Sequence, residues 1–222
     1  MSTARTAAAA AEKRRLILDA AVRVFARQGF HTCRVSDIAD EAGVAYGLVY
    51  HYFRSKDEVL DTLFLDRWNV LLDVISEIDS QQIPVREKLH AIAGFIVDSY
   101  SHNPDLMKVI IVEVTRAANS FGRTHLGKIR EAYALIADIV AKAQAEGSFK
   151  RAVTPEFAAL AFYRAIEQVL TGWIFDMLPR GQAEFDQAKA FIVETICGGL
   201  EVADRPATPS SARMTLPWFD RM

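Results

Sequence analysis

Cysteine and long hydrophobic runs are what this 222-residue sequence has least of. Cys33 and Cys197 are its only cysteines, which excludes a disulfide framework and leaves no zinc-ligand spacing. No apolar run approaches the ~18 residues of a membrane span, and the alanines at residues 7–11 lack the bulky core of a signal peptide. We therefore expect a soluble cytoplasmic protein with no metal, no cofactor and no membrane partner.

Strand signals are also scarce. No credible pair of strands or hairpin turn interrupts the helical patterns, and no fixed-period repeat is present. Apolar residues make up 51% of the chain, enough for a substantial core. They recur at helical spacing, with breaks at Gly29, at residues 81–84, at residues 120–122, at Gly147 and at residues 179–181. The pattern predicts an all-α protein of about nine helices.

Capping patterns predict where several helices begin. Ser55 and Glu58 form a capping box, which starts a long helix near Lys56 that runs to about Ile78. Asn-Pro at 103–104 and Thr-Pro at 154–155 mark two further starts, because proline is tolerated in the first helical turn. We expect these two helices to end near residues 118 and 178.

The net charge of −2 conceals an uneven distribution. Residues 1–57 hold 9 basic and 6 acidic side chains, a balance of +3, so the remainder carries −5. A basic end on an acidic body suits a protein that binds DNA with one end. A few charges are also an ordinary fluctuation, and both interpretations stay open.

Residues 35–56, VSDIADEAGVAYGLVYHYFRSK, hold two short helical patterns on either side of Gly43. A helix-turn-helix joins two helices by a short turn that often contains glycine, since glycine adopts a positive φ without a Cβ penalty. The second pattern is crowded with Tyr46, Tyr50, His51 and Tyr52. The second helix of such a unit can enter the DNA major groove, so this segment predicts DNA binding.

Residues 29–68 resemble the DNA-binding domain of the TetR family of bacterial repressors. The matching residues are Gly29-Phe30, Asp37-Ile38-Ala39, Ala42-Gly43-Val44, Gly47, Tyr50-His51-Tyr52-Phe53, Ser55-Lys56 and Leu60. The resemblance implies a three-helix DNA-binding domain over residues 1–54 and a helical ligand-binding and dimerisation bundle over residues 55–203. Residues 204–222 contain Pro, Ser and Thr and are expected to form a flexible tail.

The same resemblance implies roles in DNA binding. Tyr50 and Lys56 match positions that commonly contact phosphate. The positions on the groove-facing side of the recognition helix are Ala45, Tyr46, Gly47, Val49 and His51. Val49 is at the same time a candidate for the core. His51 has no second ligand or paired carboxylate at a suitable spacing, so we expect neither a metal site nor a catalytic site there.

Two positions depart from the family pattern. Where the family usually has threonine at the start of its second helix, this chain has Cys33-Arg34, and a thiol is a weaker hydrogen-bonding group than a hydroxyl. Arg34 supplies the phosphate contact in one interpretation, and Ser36 shares it in another. Leu48 replaces a small or hydroxyl residue, and its role stays open.

The body carries many bulky apolar residues, and family bodies usually hold an inducer. The candidate ligand-binding residues are Phe95, Tyr100, Met107, Ile110, Val114, Phe121, Tyr133, Phe162, Tyr163, Ile166, Leu170, Trp173 and Met177. Such a lining suits a mostly apolar ligand, with Asn119, Gln168 and Thr171 as candidate polar groups. The alternative for each residue is a close-packed core.

A finer resemblance links residues 30–53, together with Gly172-Trp173, to TetR-type regulators of fatty-acid metabolism, which sense long-chain acyl-CoA. Under this hypothesis the basic residues near position 125 meet the CoA phosphates: Arg123, His125, Lys128 and Arg130. The alternative is an exposed, basic helix start.

The last two helices resemble the dimer-forming pair of the family. Their candidate contact residues are Phe191, Ile192, Thr195, Ile196 and Gly199. Two helices from each subunit would form a four-helix interface, and a two-fold dimer would bind a palindrome.

These features lead to one hypothesis and two rivals. The chain is expected to be a homodimeric repressor, released from a palindromic double-stranded DNA operator by a hydrophobic inducer, which the finer resemblance implies is an acyl-CoA. One rival is an architectural DNA binder with a dry, packed body. The other is an α-helical lipid-handling enzyme, for which Glu113 and Arg116 are the only nearby polar pair, although their spacing fits a surface ion pair. We expect no enzymatic activity.

Overall fold

The computed structural model describes residues 2–113 and 123–202, which confirm the all-α prediction. Over these ranges the chain forms nine α-helices, and the one strand-like contact is a bridge between Phe149 and Glu201. The helices are α1 (Ser2–Gln28), α2 (Val35–Ala42), α3 (Tyr46–Tyr52), α4 (Lys56–Ser80), α5 (Val85–His102), α6 (Pro104–Lys108), α7 (Arg123–Ala145), α8 (Pro155–Ile174) and α9 (Gln182–Leu200). The predicted tail at residues 204–222 lies outside the described residues.

Helices α1 to α3 form the head that contains the helix-turn-helix. Gly43 ends α2 with φ of 64°, the left-handed conformation that a residue with a side chain rarely adopts. Apolar residues of α2 and α3 are buried, among them Ile38 and Ala42. On the surface, Glu41 of α2 accepts hydrogen bonds from Arg23 and Arg27 of α1, at 2.6 and 3.1 Å. The turn and the α1 contacts together fix the angle between α2 and α3.

Helix α4 joins the head to the body without a break. The Ser55 hydroxyl accepts a hydrogen bond from the Glu58 N–H at 3.1 Å, and the Glu58 carboxylate accepts one from the Arg54 N–H at 2.6 Å. These contacts start α4 as the capping pattern predicts. Its buried face, from Val59 to Ile78, belongs to the single hydrophobic cluster that extends through head and body.

Charged contacts at the ends of helices fasten the body. Asp79 at the end of α4 pairs with Lys88 of α5 and Lys142 of α7. Lys189 of α9 is buried and pairs with Asp98 of α5 at 2.6 Å. These pairs tie together four helices that surround the apolar interior.

A second group of charges encloses a thiol near the end of α9. Arg86 of α5 pairs with Glu194 and Glu201, at 2.5 and 2.7 Å. Beside this group, Cys197 has no exposed surface, and burial raises its pKa to about 11.

Two helices differ from their predicted lengths. After α6 the chain forms a π-helical turn, Val109–Glu113, in place of the continuous helix expected to about residue 118, whose last part lies outside the described residues. Helix α8 ends at Ile174, four residues earlier than predicted. There Asp176 adopts φ of 55°, and the Met177 N–H donates to the Gly172 carbonyl at 2.8 Å. This is a Schellman ending, which the sequence does not signal because the left-handed residue is Asp and not Gly.

Candidate DNA interface and ligand site

The recognition helix α3 presents one side to solvent. Tyr46 and Tyr50 are 53% and 44% exposed, and the neighbouring Ala45, Gly47 and His51 are exposed as well. These five predicted residues can face a DNA groove.

Val49 does not share that surface. It is only 1% exposed and belongs to the core cluster, so the prediction that it faces the groove is wrong. Successive helical residues are rotated by about 100°, which turns Val49 away from the exposed side of α3. Leu48, whose role was open, is half-buried.

Two tyrosine hydroxyls stand together on this exposed side. The Tyr46 hydroxyl donates to the Tyr50 hydroxyl at 3.2 Å, and their rings meet edge to face with centroids 5.1 Å apart. The hydrogen bond from Tyr46 raises the pKa of the Tyr50 hydroxyl, which therefore stays protonated. Tyr50 keeps its own proton to donate to a phosphate oxygen or a base edge, and the Tyr46 oxygen can accept a hydrogen bond from a base edge.

Beside the tyrosines lies a groove formed where α2 and α4 begin. Three cationic residues, Arg34, Arg54 and Lys56, line it together with Ser36 and one carboxylate, Asp57. The start of a helix presents unpaired N–H groups and the positive end of the helix dipole, both of which favour a phosphate. The predicted Arg34 and Ser36 thus lie together. Arg54 was not among the predicted DNA-binding residues, although its position directly before the Ser55 cap was a usable signal.

Cys33 lies at the groove, but its side chain is buried. It is 2% exposed, and its thiol lies 3.3 Å from the Phe30 carbonyl oxygen. Arg34 is exposed, which leaves the neighbouring guanidinium available for a phosphate in the position where the family has threonine.

The Lys56 ammonium holds the segment between α1 and α2. It donates hydrogen bonds to the carbonyl oxygens of Phe30, His31 and Cys33, at 2.7, 3.2 and 2.9 Å. It also lies 4.7 Å from the Phe30 ring centroid, within the range of a cation–π contact. All three ammonium protons are therefore engaged, so this geometry gives Lys56 a positioning role. Its phosphate contact stays a prediction.

The body contains a small cavity between α4, α5, α6, the π turn and α8. Its lining residues are Arg67, Trp68, Leu71, Phe95, Ile96, Ser99, Met107, Ile110 and Tyr163. Four of the predicted ligand-binding residues are among them: Phe95, Met107, Ile110 and Tyr163. Tyr133 lies behind the lining, with its ring edge to face with Tyr163 at 5.3 Å. The cavity volume of about 30 Å³ accepts a water molecule or two, but not a long chain.

Other predicted ligand-binding residues lie elsewhere. Tyr100 and Trp173 stack at 5.6 Å in a separate aromatic cluster with Phe185, so they belong to the close-packed core. Three more are at most 1% exposed and do not line the cavity: Phe162, Ile166 and Leu170. Met177 follows the end of α8 and is 66% exposed, so it cannot line this cavity. Val114 and Phe121 lie outside the described residues.

The polar groups of the cavity also differ from the predicted ones. Gln168 is exposed, and the Thr171 hydroxyl donates to the Glu167 carbonyl at 2.8 Å, so neither lines the cavity. Asn119 lies outside the described residues. The polar groups that line the cavity belong instead to Ser99 of α5, Tyr163 of α8, and Arg67 and Trp68 of α4. A signal existed, because Arg67 interrupts the apolar stripe of that helix.

The basic residues near position 125 do not form one exposed face. His125 is 6% exposed, with its ring 4.4 Å from Phe64 and its Nε2 3.4 Å from an Asp61 carboxylate oxygen. Burial lowers the pKa of His125, which keeps the imidazole neutral to lower pH. Lys128 pairs with Glu131 at 3.0 Å. For His125 the alternative of an exposed helix start is therefore wrong, whereas its contact with a CoA phosphate stays a prediction.

One lysine connects the cavity to the head. The Lys108 ammonium donates to the Ala26 carbonyl in the last turn of α1, at 2.8 Å. A cation at this position also interacts favourably with the negative end of the α1 dipole. Met107 and Ile110, on either side of Lys108, line the cavity. The same short segment therefore contacts the interior of the body and the first helix of the head.

The outer faces of α8 and α9 expose large apolar side chains. Phe157 is 62% exposed and Phe191 is 69% exposed. Thr195 and Gly199 are also exposed, and Ile196 is half-buried. Ile192 is only 3% exposed and packs inside its own chain, so its prediction as a dimer contact is wrong. Large exposed apolar side chains on neighbouring helices are typical of interaction surfaces, and the dimer contact stays a prediction.

Two features are absent from the described ranges, a membrane span and a metal-binding cluster. None of the helices there is both long and apolar enough to cross a membrane. No group of three potential metal-ligating side chains occurs in residues 2–113 or 123–202.

A helical head with an exposed recognition helix and a cationic groove, set on a helical body with an apolar cavity, defines a helix-turn-helix regulator that binds DNA. Residues 17–63 match the model of the bacterial regulatory proteins of the tetR family. Residues 84–196, half of the chain, match the tetracyclin repressor-like C-terminal domain. The chain belongs to the TetR family and is a transcriptional regulator.

Relatives of known name include regulators of fatty-acid metabolism. The chain is 29% identical to the fatty acid metabolism regulator protein of Bacillus subtilis over 161 residues, which cover 72% of this chain and 82% of that protein. It resembles the structure of the fatty acid degradation regulator FadR from Bacillus halodurans, with a TM-score of 0.73, 25% identity and coverage of 84% and 95%. The FadR structure from Bacillus subtilis in complex with stearoyl-CoA gives a TM-score of 0.71 at 23% identity, with coverage of 83% and 97%, and supports the fold.

The position of Lys56 leads to a prediction about the stability of the head. Lys56→Met keeps most of the side chain but removes three charge-assisted hydrogen bonds, so we expect the free energy of unfolding to fall by about 1.5–3 kcal/mol. Urea denaturation followed by circular dichroism measures the change. The control Lys13→Met removes an equally charged but exposed lysine of α1 and should change stability by less than about 0.5 kcal/mol. Equal losses in both variants would show that the three carbonyl contacts contribute nothing.

Proposed function

We propose that the chain is a homodimeric repressor that binds a palindromic operator and is released from it by a long-chain acyl ligand. The observation that carries this proposal is the continuity of α4. Its first turn forms part of the cationic groove at Lys56, and three turns later Arg67, Trp68 and Leu71 line the cavity. A ligand that enlarges the cavity therefore displaces the same helix that supports the DNA-facing surface.

Two relatives support an acyl ligand. One is named as a regulator of fatty-acid metabolism, and a structural neighbour was solved with stearoyl-CoA bound. The cavity of about 30 Å³ has to expand to admit such a chain. The ligand thus binds a state with an enlarged cavity more tightly than the state with the small cavity. If the enlarged state binds DNA more weakly, the ligand lowers the affinity for DNA by the same coupling. The proposed site of action is the cytoplasm, where the operator is found.

The rival hypotheses lose support on separate grounds. The hypothesis of an architectural DNA binder with a packed body does not account for the cavity, which is lined by the Arg67 guanidinium and the Trp68 N–H among apolar side chains. An enzyme is disfavoured because the named relatives are transcriptional regulators. The Glu113 and Arg116 side chains lie outside the described part of the structure.

Operator binding and release form the direct test. We expect fluorescence anisotropy to show tight binding at low salt to labelled DNA from upstream of the chain's own gene, weakening as salt rises. Palmitoyl-CoA should reduce the affinity roughly 5- to 150-fold. Arg34→Gln should lower the slope of log affinity against log salt by about 1, because one phosphate contact is lost. Arg151→Gln, an exposed cation before α8, is the matched control and should leave the slope unchanged. Absence of binding to any DNA in that region at low salt would refute the proposal.

The proposed dimer buries the apolar faces of α8 and α9. Phe191→Glu places a charge in the centre of that surface without disturbing the monomer, because the side chain is 69% exposed. We expect sedimentation equilibrium to show a monomer at micromolar concentration, with an unchanged helical spectrum. Val70→Glu, an exposed apolar position on α4, should remain a dimer. A Phe191→Glu variant that sediments as a dimer would rule out this interface.

The bond between Lys108 and Ala26 is proposed to transmit the ligand signal. Lys108→Met retains the apolar stem, so we expect operator affinity without ligand to change less than about twofold while the effect of palmitoyl-CoA shrinks several-fold. Anisotropy titrations with and without palmitoyl-CoA measure this ratio. Lys150→Met, which removes an exposed cation before α8, serves as the control and should leave the ligand effect unchanged. An undiminished ligand effect in Lys108→Met would exclude this contact as the route.

A further inference from the structure

Trp68 has a buried hydrogen-bond donor without an acceptor. The side chain is 6% exposed and lines the cavity, and its Nε1 has no hydrogen-bond partner within the described residues. Trp173, the other tryptophan that the structure describes, donates its Nε1 proton to the Pro179 carbonyl at 3.0 Å. A buried indole N–H usually finds an acceptor, and leaving it unsatisfied is unfavourable. The Trp68 N–H is therefore available to an acceptor oxygen of a bound molecule.

The guanidinium of Arg67, the neighbouring residue, has no carboxylate partner among the described residues. Its guanidinium carbon lies 6.0 Å from the Phe95 ring centroid, and desolvation lowers its pKa with no opposing contribution from a carboxylate. No ion pair or hydrogen bond of its side chain is found within the described residues. The other buried or half-buried cations of the described body all have a carboxylate or carbonyl partner: Lys56, Arg86, Lys88, Lys108, Lys128 and Lys189. Arg67 is the exception, and it faces the cavity.

The remaining lining defines the rest of the ligand. Leu71, Phe95, Met107 and Ile110 offer only apolar surface. The Ser99 hydroxyl already donates to the Phe95 carbonyl at 2.7 Å. The cavity thus combines an apolar wall with the Tyr163 phenol of α8 and with two adjacent donors on α4, one of them charged. Its complement is a molecule with an apolar chain and an anionic or strongly accepting oxygen at one end.

We propose that Arg67 and the Trp68 N–H bind the polar end of a long-chain acyl ligand at α4, with its chain directed toward Phe95, Met107 and Ile110. This inference rests on the proposed function, since it names the binding chemistry of the same cavity. The shared chemistry is an acyl oxygen accompanied by negative charge. A fatty acid supplies both in its carboxylate, and an acyl-CoA supplies a thioester carbonyl and phosphates.

Selectivity against neutral lipids follows from this arrangement. A site with a buried donor and a partly desolvated cation rejects an analogue that cannot pair with them, because the polar groups then remain unpaired inside the complex. A fatty alcohol of the same chain length presents the same apolar surface without the charge. It should therefore bind much more weakly than the acid or the CoA ester.

Equilibrium dialysis of the full-length protein with radiolabelled palmitate, palmitoyl-CoA and hexadecanol, each below its micellar concentration, tests the proposal. Arg67→Met keeps the apolar stem and should weaken binding of the anionic probes by about ten- to a hundredfold, but that of hexadecanol less than about twofold. Arg67→Lys should recover part of the loss. Trp68→Phe should weaken anionic binding by about three- to tenfold. The controls are Arg151→Met, an exposed cation, and Trp173→Phe, whose N–H is already paired.

The outcomes separate the two sources of the oxygen. If Arg67→Met and Trp68→Phe lower the affinity for both palmitate and palmitoyl-CoA, the two side chains bind an oxygen of the fatty acyl group, and CoA is not required. If the wild-type protein binds palmitoyl-CoA but not palmitate, and the variants lose affinity for palmitoyl-CoA alone, the ligand is the CoA ester. Hexadecanol binding as tight as palmitate and palmitoyl-CoA in the wild-type protein would overturn the proposal. Equal affinities in Arg67→Met and Arg151→Met would do the same.

Failure of this inference is distinguishable from failure of the proposed function. A wild-type protein that binds none of the three probes refutes the acyl ligand. The same preparation can still bind the DNA upstream of its gene in anisotropy measurements, which would retain the operator-binding part of the proposal. Loss of both activities would remove the proposed function as well.

Discussion

The continuity of α4 is the constraint on which the arrangement of head and body depends. The helix is capped at Ser55, and Lys56 is bonded to three carbonyls of the head, so its first turn is fixed to the DNA-facing side. Its last turn is fixed by the pairs between Asp79 and two lysines of the body. Because both ends of α4 are bonded, we expect the helix to move as one rigid body. A ligand that enters the cavity beside the middle of α4 must therefore displace one end of α4, change the packing of a neighbouring helix, or do both.

The second connection between head and body passes through a less regular segment. Lys108 contacts α1 through one hydrogen bond, from a segment where the α-helix gives way to a π turn. π turns commonly occur at functional sites, since the extra residue changes which side chains face inward. The cavity thus has one wall, formed by α4, that keeps its shape, and another wall, at the π turn, that can rearrange.

Local signals in the sequence predicted the head well. The positive φ at Gly43 and the Ser55 cap depend on neighbouring residues, so the turn and the start of α4 follow from the pattern alone. Side-chain direction was harder, because a helical repeat does not tell which of two apolar neighbours faces inward, and Val49 and Ile192 were misassigned. Cavity and core use the same residue types, which is why Trp173 and Phe162 were confused with lining residues. The roles proposed for Arg67 and Trp68 depend on the residues that surround them in three dimensions, which the sequence alone does not give.

Both cysteines are covered, one against α2 in the head and one behind the charges at the end of α9. Cys33 is 2% exposed, Cys197 is fully buried, and the raised pKa of Cys197 keeps that sulfur protonated at neutral pH. Oxidants react with an accessible thiolate, and neither sulfur presents one. Oxidation of either thiol therefore requires the helices around it to open first.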